Sequence, residues 1–333
     1  MTHSTFCPAE LPLPITASLT RNLYHGAAPR VANVPDAPPI SIRRNLMLPA
    51  RVWRTRVAHS PTRRAIHFSE QQRRIVTANH ADESRPLAGR MALVTGGSRG
   101  LGLACAQALA TDGAHVIVAA RNKDQITAAV RGIVSGGGKA SGYQIDVSEA
   151  DAMASLYSWL DDQSLPSDIV INAAGMFRYG SIDRTSTADW EQLSRTNVAS
   201  TLLSCQQAVS RMRSVGWGRI VNFCSVAGAL RGAPGAVAYA MSKGAIAALT
   251  RSLAVEVALD GITVNAIAPG MFETEMTDGF RTNEARAEWA TSRAAAGRWG
   301  QPAEVAGLVR YLTSPTGGFL TGQILAVDGG WTA

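Results

Sequence analysis

Six short aliphatic segments alternate with longer stretches that have the composition of helices. The segments are MALV at 91–94, HVIVAA at 115–120, DIVINAA at 168–174, GRIVNFC at 218–224, ITVNAIA at 262–268 and ILAVD at 324–328. Near-continuous aliphatic strands separated by helices are typical of a parallel sheet that is covered on both faces. The pattern therefore predicts an α/β fold, with a single doubly wound parallel sheet over residues 86–333 and no internal repeat.

The first 85 residues have a different composition. They are rich in proline and arginine, contain no lysine and show no sustained apolar period, which predicts disorder. An arginine-rich, acid-poor leader resembles an organelle transit peptide, whereas prolines at 8, 12 and 14 argue against a secretory signal. The alternative is a non-functional extension. We expect a soluble protein, located in the cytoplasm or, if the leader is a transit peptide, in the matrix of a mitochondrion or plastid.

The positive charge of the chain lies in this leader. Residues 1–85 hold 12 of the 32 basic and 5 of the 25 acidic residues, which gives a net charge of +7, whereas residues 86–333 carry 20 of each. A neutral main domain offers no general electrostatic basis for binding nucleic acid. The longest uncharged apolar stretches are also too short to span a membrane. We therefore expect neither a nucleic-acid nor a membrane partner.

The four cysteines, at positions 7, 105, 205 and 224, show no paired spacing. The sequence thus predicts no metal site and no disulfide framework. Cys224 ends an apolar run, so a buried, unreactive thiol is expected there.

The segment TGGSRGLG, residues 95–102, allows two interpretations. Its centre fits the G-x-S-x-G elbow of hydrolases, which would make Ser98 a nucleophile. Such an elbow needs a histidine late in the chain, and the only histidine after residue 80 is His115. The other interpretation is a turn between the strand at 91–94 and a helix from 103, whose backbone N–H groups bind a phosphate. The spacing is G-x3-G-x-G rather than the usual G-x-G-x-x-G, but its surroundings favour the phosphate site.

Further motifs follow this turn in a fixed order, and together they resemble the short-chain dehydrogenase/reductase family over residues 86–333. They are TGGSRGLG at 95–102, DV at 146–147, NAAG at 172–175, Asn197, Ser225, YAMSK at 239–243, PGMFETEM at 269–276 and VDGG at 327–330. The ordered set is far more specific than any one of its members. The resemblance implies a Rossmann-type fold and an oxidoreductase that transfers a hydride between a nicotinamide cofactor and a ketone or secondary alcohol.

Tyr239 and Lys243 are four residues apart, so they share one face of a helix. The resemblance implies that both belong to a catalytic tetrad with Asn197 and Ser225. Tyr239 would be the general acid for ketone reduction and the base for alcohol oxidation, Ser225 would bind the reacting oxygen, and Asn197 would hold a water that leads to the lysine. Because a free phenol has a pKa of about 10, a nearby ammonium is needed to favour phenolate.

The resemblance also implies a set of cofactor contacts. They are Thr95, Gly96, Ser98, Arg99, Gly100, Leu101, Gly102, Arg121, Asp146, Val147, Asn172, Ala173, Gly175, Tyr239, Lys243, Pro269, Gly270 and Thr274. Lys243 would bind the nicotinamide ribose, Asp146 would lie near the adenine and Thr274 would contact the nicotinamide amide. Ala173 departs from the commoner N-N-A-G pattern, which places one polar contact of the central sheet in doubt.

Charge predicts which nicotinamide cofactor is bound. An acid at the end of the second strand would accept the 2′-hydroxyl of NAD, whereas a nearby arginine accommodates the 2′-phosphate of NADP. Here Ala120 is followed by Arg121, and Arg99 lies within the glycine turn. We therefore predict NADP(H).

Two groups within the family compete as guides to the substrate. Residues 287–312 and 319–333 look like the gluconate 5-dehydrogenase type, which acts on sugar acids and their keto forms, and residues 225–246 are more like the 3-oxoacyl-carrier-protein reductases. An acidic carrier protein favours basic residues at the site's mouth. Gly216 and Asp260 stand where such reductases carry arginines, although Arg178, Arg211 and Arg213 could serve. We favour a small soluble keto or hydroxy acid such as a sugar acid.

A hypothesis of another class is a catalytically silent protein that senses NADP(H) or serves as a partner subunit. The complete tetrad argues against it. The apolar-rich helices expected near 187–213 and 236–259 resemble those that form interfaces between family subunits, so a homotetramer or homodimer is expected. Burial of the same faces within one subunit would leave the same pattern.

We predict that a chain starting at Arg85 stays soluble and retains the activity of the full-length protein, because the leader contributes no apolar period to a core. Size-exclusion chromatography and turnover of the two chains side by side test this boundary. Aggregation or loss of the folded state on removing the leader would contradict it.

Overall fold

The computed structural model describes residues 85–333. The disorder and targeting predicted for the leader lie outside the described residues and stay predictions.

Strands and helices alternate through the described range. The strands are β1 (Met91–Thr95), β2 (His115–Ala120), β3 (Lys139–Gln144), β4 (Ile169–Asn172), β5 (Gly218–Phe223), β6 (Ile262–Pro269) and β7 (Ile324–Val327). The helices are α1 (Gly100–Thr111), α2 (Lys123–Ser135), α3 (Ala152–Asp162), α4 (Thr187–Leu193), α5 (Ser200–Val215), α6 (Val226–Ala229), α7 (Val237–Val257), α8 (Asp278–Arg281), α9 (Glu284–Arg293) and α10 (Pro302–Thr313). A π-helical turn, Ser194–Ala199, joins α4 to α5.

All seven strands form one parallel sheet in the order β3-β2-β1-β4-β5-β6-β7. One hydrophobic cluster covers each large face: Leu109, Val309 and their neighbours on one side, Leu156, Val264 and theirs on the other. The chain reverses its direction across the sheet between β1 and β4, and ligands of such sheets bind at the carboxyl ends of the strands at that point. The predicted doubly wound parallel fold is confirmed.

The third strand is the part of the sheet that the aliphatic pattern did not predict. Strand β3 has the sequence KASGYQ, and its residues are exposed or half-buried because it forms an edge of the sheet. An edge strand needs no continuous apolar run, so its signal is weak. Helix α1 also begins at Gly100, three residues before the expected start at 103, which places the end of the glycine turn inside the first helical turn.

The three cysteines of the described range are free and buried. Burial raises the pKa of Cys105 and of Cys205 to about 12 and that of Cys224 to about 11. These thiols therefore stay protonated at neutral pH. Within residues 85–333, no helix is long and apolar enough to cross a membrane, and no cluster of potential ligands could hold a metal ion.

An ion pair joins the first and last long helices. Asp112, which caps the end of α1 and is buried, accepts hydrogen bonds from Arg310 of α10, with 2.9 Å between Nε and Oδ2. The carbonyl of Asp112 also accepts a bond from the backbone of Leu87. The pair fixes α1 and α10 side by side on one face of the sheet.

A chain of buried amides crosses the middle of the sheet. Asn222 of β5 accepts a hydrogen bond from the amide of Asn172 on β4 at 2.9 Å and donates one to the hydroxyl of Thr250 on α7 at 3.0 Å. All three side chains are almost fully buried. The chain ties two central strands to the helix that carries Tyr239 and Lys243.

We predict that Asn222→Ala lowers the free energy of unfolding by roughly 3 kcal/mol, because it leaves the polar groups of Asn172 and Thr250 buried without their main partner. Thr250→Val, which keeps the shape and removes one partner, should cost about 1 kcal/mol. Urea denaturation at fixed protein concentration measures both. A loss below about 0.5 kcal/mol for Asn222→Ala would show that these bonds do not stabilise the core.

Candidate active site

The four residues predicted to be catalytic come from three elements at the carboxyl edge of the sheet. Ser225 follows β5 and caps the short helix α6, where its Oγ accepts a bond from the Ala227 N–H at 3.2 Å. Tyr239 and Lys243 lie in the first two turns of α7, and Asn197 lies in the π-helical turn. The structure thus brings together residues that are distant in sequence.

Lys243 is buried and held by the end of β5. Its Nζ donates a hydrogen bond to the carbonyl oxygen of Phe223 at 2.8 Å and lies 5.8 Å from the centroid of the Tyr239 ring. Burial lowers the pKa of this ammonium to about 8. Lys243 is therefore cationic at neutral pH and lies beside the ring of Tyr239.

Tyr239 is held in its protonated form. Burial raises the pKa of its phenol to about 12, and a hydrogen bond with Ser225 offsets only part of this effect. The ring of Phe177 packs edge-on against Tyr239, with 4.9 Å between centroids, and so helps to exclude water from one side. At neutral pH the phenol is a proton donor.

Asn197 fixes the loop that faces Tyr239. Its side chain accepts a bond from the Met176 N–H at 2.8 Å and donates to the Met176 carbonyl and to the hydroxyl of Ser242, both at 3.0 Å. Ser242 in turn donates to the carbonyl of Tyr239 at 2.7 Å. This side-chain amide therefore positions both the loop after β4 and the start of α7. The water-holding role expected for Asn197 stays a prediction.

The glycine turn brings two segments of backbone into close approach. A Cβ on Gly96, whose φ is +68°, would lie 2.8 Å from the backbone of Ala174, and a Cβ on Gly102 would lie 2.2 Å from the Gly96 carbonyl oxygen. The turn is thus closed to side chains at both positions. It packs the start of α1 on the turn, and the turn on the residues that follow β4.

The first turn of α1 fits a pyrophosphate. Leu103 donates its N–H to the carbonyl of Arg99, so the N–H groups of the preceding helical residues, 100–102, have no partner within the helix. That turn holds no acidic residue, and Arg99 immediately precedes it. Unpaired N–H groups together with the helix dipole favour an anion at this position. A groove of about 320 Å³ opens beside the turn, lined by residues of the turn, of α1 and of α2.

The two arginines predicted to select NADP(H) each lie beside an acid. Arg99 forms an ion pair with Glu275, which lies after β6, and both side chains are about half exposed. Arg121 follows β2, with its Nη1 3.9 Å from Asp146. Burial acts to raise the pKa of Asp146, but hydrogen bonds from Ser148 and the charge of Arg121 outweigh it, so this pKa lies below its ordinary value.

Most of the remaining predicted contacts lie at or just after the carboxyl ends of β1, β4 and β6. Thr95 accepts a bond from Ala173 through its carbonyl, and the Gly270 N–H bonds the Val327 carbonyl. Thr274 caps the turn at 275–277.

The other predicted contacts have varied surroundings. The side chain of Val147 is buried in the core. A Cβ on Gly175 would lie 3.4 Å from both Asn197 Oδ1 and Lys243 Nζ. Ser98, Leu101 and Pro269 lie at the ends of the elements that meet here.

Asn172 differs from these residues in the direction of its side chain. Its amide points into the sheet toward Asn222 and Cys205, so the side chain holds the strands together. Any contact of Asn172 with a cofactor would have to come from its backbone.

Sequence reasoning missed an aromatic row beside Tyr239. Phe177 lies between Tyr239 and Phe280, with 6.2 Å between the two phenylalanine centroids, and the guanidinium of Arg286 lies 5.8 Å from the Phe280 centroid. It also missed Glu275, the partner of Arg99. The one available signal was the position of Phe177, the second residue after the NAAG motif.

Comparisons with known proteins cover most of this chain. A family model described as enoyl-(acyl carrier protein) reductase matches residues 96–332. The gluconate 5-dehydrogenase of Gluconobacter oxydans is 39% identical over 246 residues, which are 74% of this chain and 96% of that protein. A 3-oxoacyl-[acyl-carrier-protein] reductase of Synechocystis sp. is 38% identical, over 73% of this chain and 97% of that protein.

A solved structure is also similar. The crystal structure of a gluconate 5-dehydrogenase from Burkholderia cenocepacia, described as a complex with NADP and tartrate, aligns with a TM-score of 0.71 and 35% identity, covering 75% of this chain and 98% of that one. The ordered motifs and the parallel sheet accord with these matches. The chain belongs to the short-chain dehydrogenase/reductase family of oxidoreductases.

Proposed function

We propose that the protein is an NADP(H)-dependent oxidoreductase that interconverts a ketone and a secondary alcohol on a small soluble keto or hydroxy acid. The observation that carries the proposal is the grouping of a protonated, partly buried phenol at Tyr239 with the Ser225 hydroxyl and the Lys243 ammonium. These are the groups that a carbonyl reduction needs: a proton donor, a second hydrogen bond to the oxygen and a fixed positive charge.

At neutral pH the two ionisable groups are in the protonation states that carbonyl reduction requires. With its pKa near 12, Tyr239 has a proton to give to the carbonyl oxygen as negative charge develops there. Ser225 orients that oxygen, and the Lys243 ammonium, whose pKa is about 8, stabilises the phenolate left behind. In the reverse direction the same lysine helps the phenol to lose its proton and act as a base.

The residues present fit NADP(H). The open N–H groups at the start of α1 suit the pyrophosphate. Arg99 and Arg121 suit the 2′-phosphate, whose charge of nearly −2 competes with the single charges of Glu275 and Asp146 for them. When bound, NADPH supplies a hydride to the carbonyl carbon and becomes NADP⁺, while the oxygen gains a proton. The similar enzyme of Burkholderia cenocepacia, described with bound NADP, supports this choice.

Small acids are favoured over carrier-bound acyl chains by the ion pairs of three arginines. Arg211 bonds Asp161 at 2.9 Å from its Nε, Arg213 bonds Asp260 at 2.8 Å, and Arg178 lies 3.5 Å from Asp189. Their charges are thus offset within the chain and are less available to an acidic carrier protein. The names of the gluconate 5-dehydrogenase relatives, and the hydroxy acid tartrate in one solved structure, support the same choice.

We also propose that the subunits associate through α5 and α7 as a homotetramer or homodimer. These helices expose apolar side chains, including Leu202, Met241 and Val255. Exposed apolar surface of this kind is typical of subunit interfaces.

The test is NADPH oxidation, followed by absorbance, on a panel that contains 5-ketogluconate, acetoacetyl thioesters and simple diketones. Tyr239→Phe should lower kcat by roughly 100- to 10,000-fold while leaving NADPH affinity intact, because it removes only the proton donor. Tyr311→Phe, at an exposed position on α10, is the matched control and should keep wild-type turnover.

Two outcomes would overturn this proposal. NADPH binding without turnover of any ketone would favour the silent sensor or partner subunit. Turnover confined to carrier-linked thioesters would favour a 3-oxoacyl-carrier-protein reductase.

A second prediction concerns the cofactor. Arg99→Ala and Arg121→Ala should each weaken NADPH binding by roughly 10- to 100-fold and leave NADH binding almost unchanged, because charge-assisted bonds to the 2′-phosphate are lost. Dissociation constants from NADPH fluorescence measure this, with the exposed Arg131→Ala of α2 as control. Equal affinities of the wild-type protein for NADPH and NADH would contradict the assignment.

A further inference from the structure

One side of the space next to the catalytic phenol is lined by hydrocarbon rings. Phe177, from the loop after β4, packs on Tyr239 at 4.9 Å with the ring planes at 79°, and Phe280, from α8, packs on Phe177 at 6.2 Å and 62°. Both phenylalanines are half-buried. Phe177 follows β4 and Phe280 follows β6. Because both strands end at the carboxyl edge of the sheet, the two rings form a wall of the crevice there. We call Phe177 and Phe280 the aromatic wall.

The aromatic wall offers nothing to a hydroxyl group. Neither ring has a hydrogen-bond donor or a strong acceptor. A substrate hydroxyl that moves from water onto these rings therefore loses hydrogen bonds without replacement, which costs free energy. The nearest arginine in sequence, Arg178, donates to Gln192 at 2.7 Å and pairs with Asp189. The Tyr239 and Ser225 hydroxyls are assigned to the reacting oxygen. A flat apolar group, in contrast, packs well on the ring edges.

A cation marks the outer end of the wall. The guanidinium carbon of Arg286 lies 5.8 Å from the centroid of Phe280, and the side chain is half-buried. Within residues 85–333, Arg286 forms no ion pair. A guanidinium stacked on a ring keeps its N–H groups in plane and free to bind a carboxylate.

We infer that Phe177 determines specificity, that the substrates are keto or hydroxy acids with an aryl or alkyl group on the reacting carbon, and that the unpaired charge of Arg286 attracts their carboxylate. This inference rests on the proposed function and narrows its substrate class. It favours acids whose carbonyl carbon carries an apolar group over sugar acids, in which the carbons next to the carbonyl carry hydroxyls.

The test compares two ketones of equal charge on the full-length enzyme with saturating NADPH: 4-oxo-4-phenylbutanoate and 5-ketogluconate. The wild type should show at least a tenfold higher kcat/KM for the phenyl ketone. Phe177→Gln should lower that ratio at least tenfold, mainly through a weaker KM for the phenyl ketone, and Phe177→Leu should retain most of it. Phe319→Gln, at a fully exposed phenylalanine, is the matched control and should leave the ratio unchanged.

A second variant tests the outer end of the wall. Arg286→Gln should raise the KM for the phenyl keto acid at least fivefold and leave the KM for butyrophenone, which lacks the carboxylate, unchanged. Equal effects on both ketones would remove Arg286 from the proposal.

Binding separates failure of this inference from failure of the proposed function. Titration calorimetry of the two acids, with NADP⁺ present so that no ketone is reduced, should give the same order of affinity and the same loss in Phe177→Gln. Turnover that favours 5-ketogluconate, or a ratio that Phe177→Gln leaves unchanged, would overturn the inference while the oxidoreductase stands. Absence of any turnover would overturn the proposed function, and the affinities would still decide whether the wall selects an apolar group.

Discussion

The site depends on the close approach of two backbone segments at the ends of β1 and β4. Gly96 lies so near Ala174 that a side-chain carbon there would lie 2.8 Å from that backbone. This approach places the glycine turn beside the segment 172–175, and Gly175 then lies next to both Asn197 and Lys243. The glycine turn, which is the proposed phosphate site, and the catalytic groups are therefore linked through a few residues of backbone. A backbone link of this kind is more rigid than a contact between side chains.

Burial acts in opposite directions on the two ionisable groups of the site. It raises the pKa of the Tyr239 phenol and lowers that of the Lys243 ammonium, and each shift disfavours the charged form. At neutral pH the phenol therefore keeps its proton and the lysine keeps its charge. Proton transfer from Tyr239 then has to be driven by the negative charge that develops on the substrate oxygen during reduction.

The sequence predicted the parts of the structure whose physical requirements involve a few residue types. Buried parallel strands need aliphatic runs, the turn after β1 needs glycine, and Tyr239 and Lys243 need a spacing of four. Strand β3 was missed because an edge strand can be polar and half-exposed. The aromatic wall was missed because Phe177 and Phe280 are 103 residues apart and meet only through the order of the strands. The same holds for Arg99 and Glu275, whose pairing no local pattern indicates.

The pair between Asp112 and Arg310 has a consequence for how the chain acquires its structure. It joins the helix after the first strand to the helix before the last strand, across 198 residues. Helix α10 shares one hydrophobic cluster with α1, so this face of the sheet is completed only after nearly the whole chain has left the ribosome. Contacts of such long sequence separation slow folding and prolong the exposure of apolar strands.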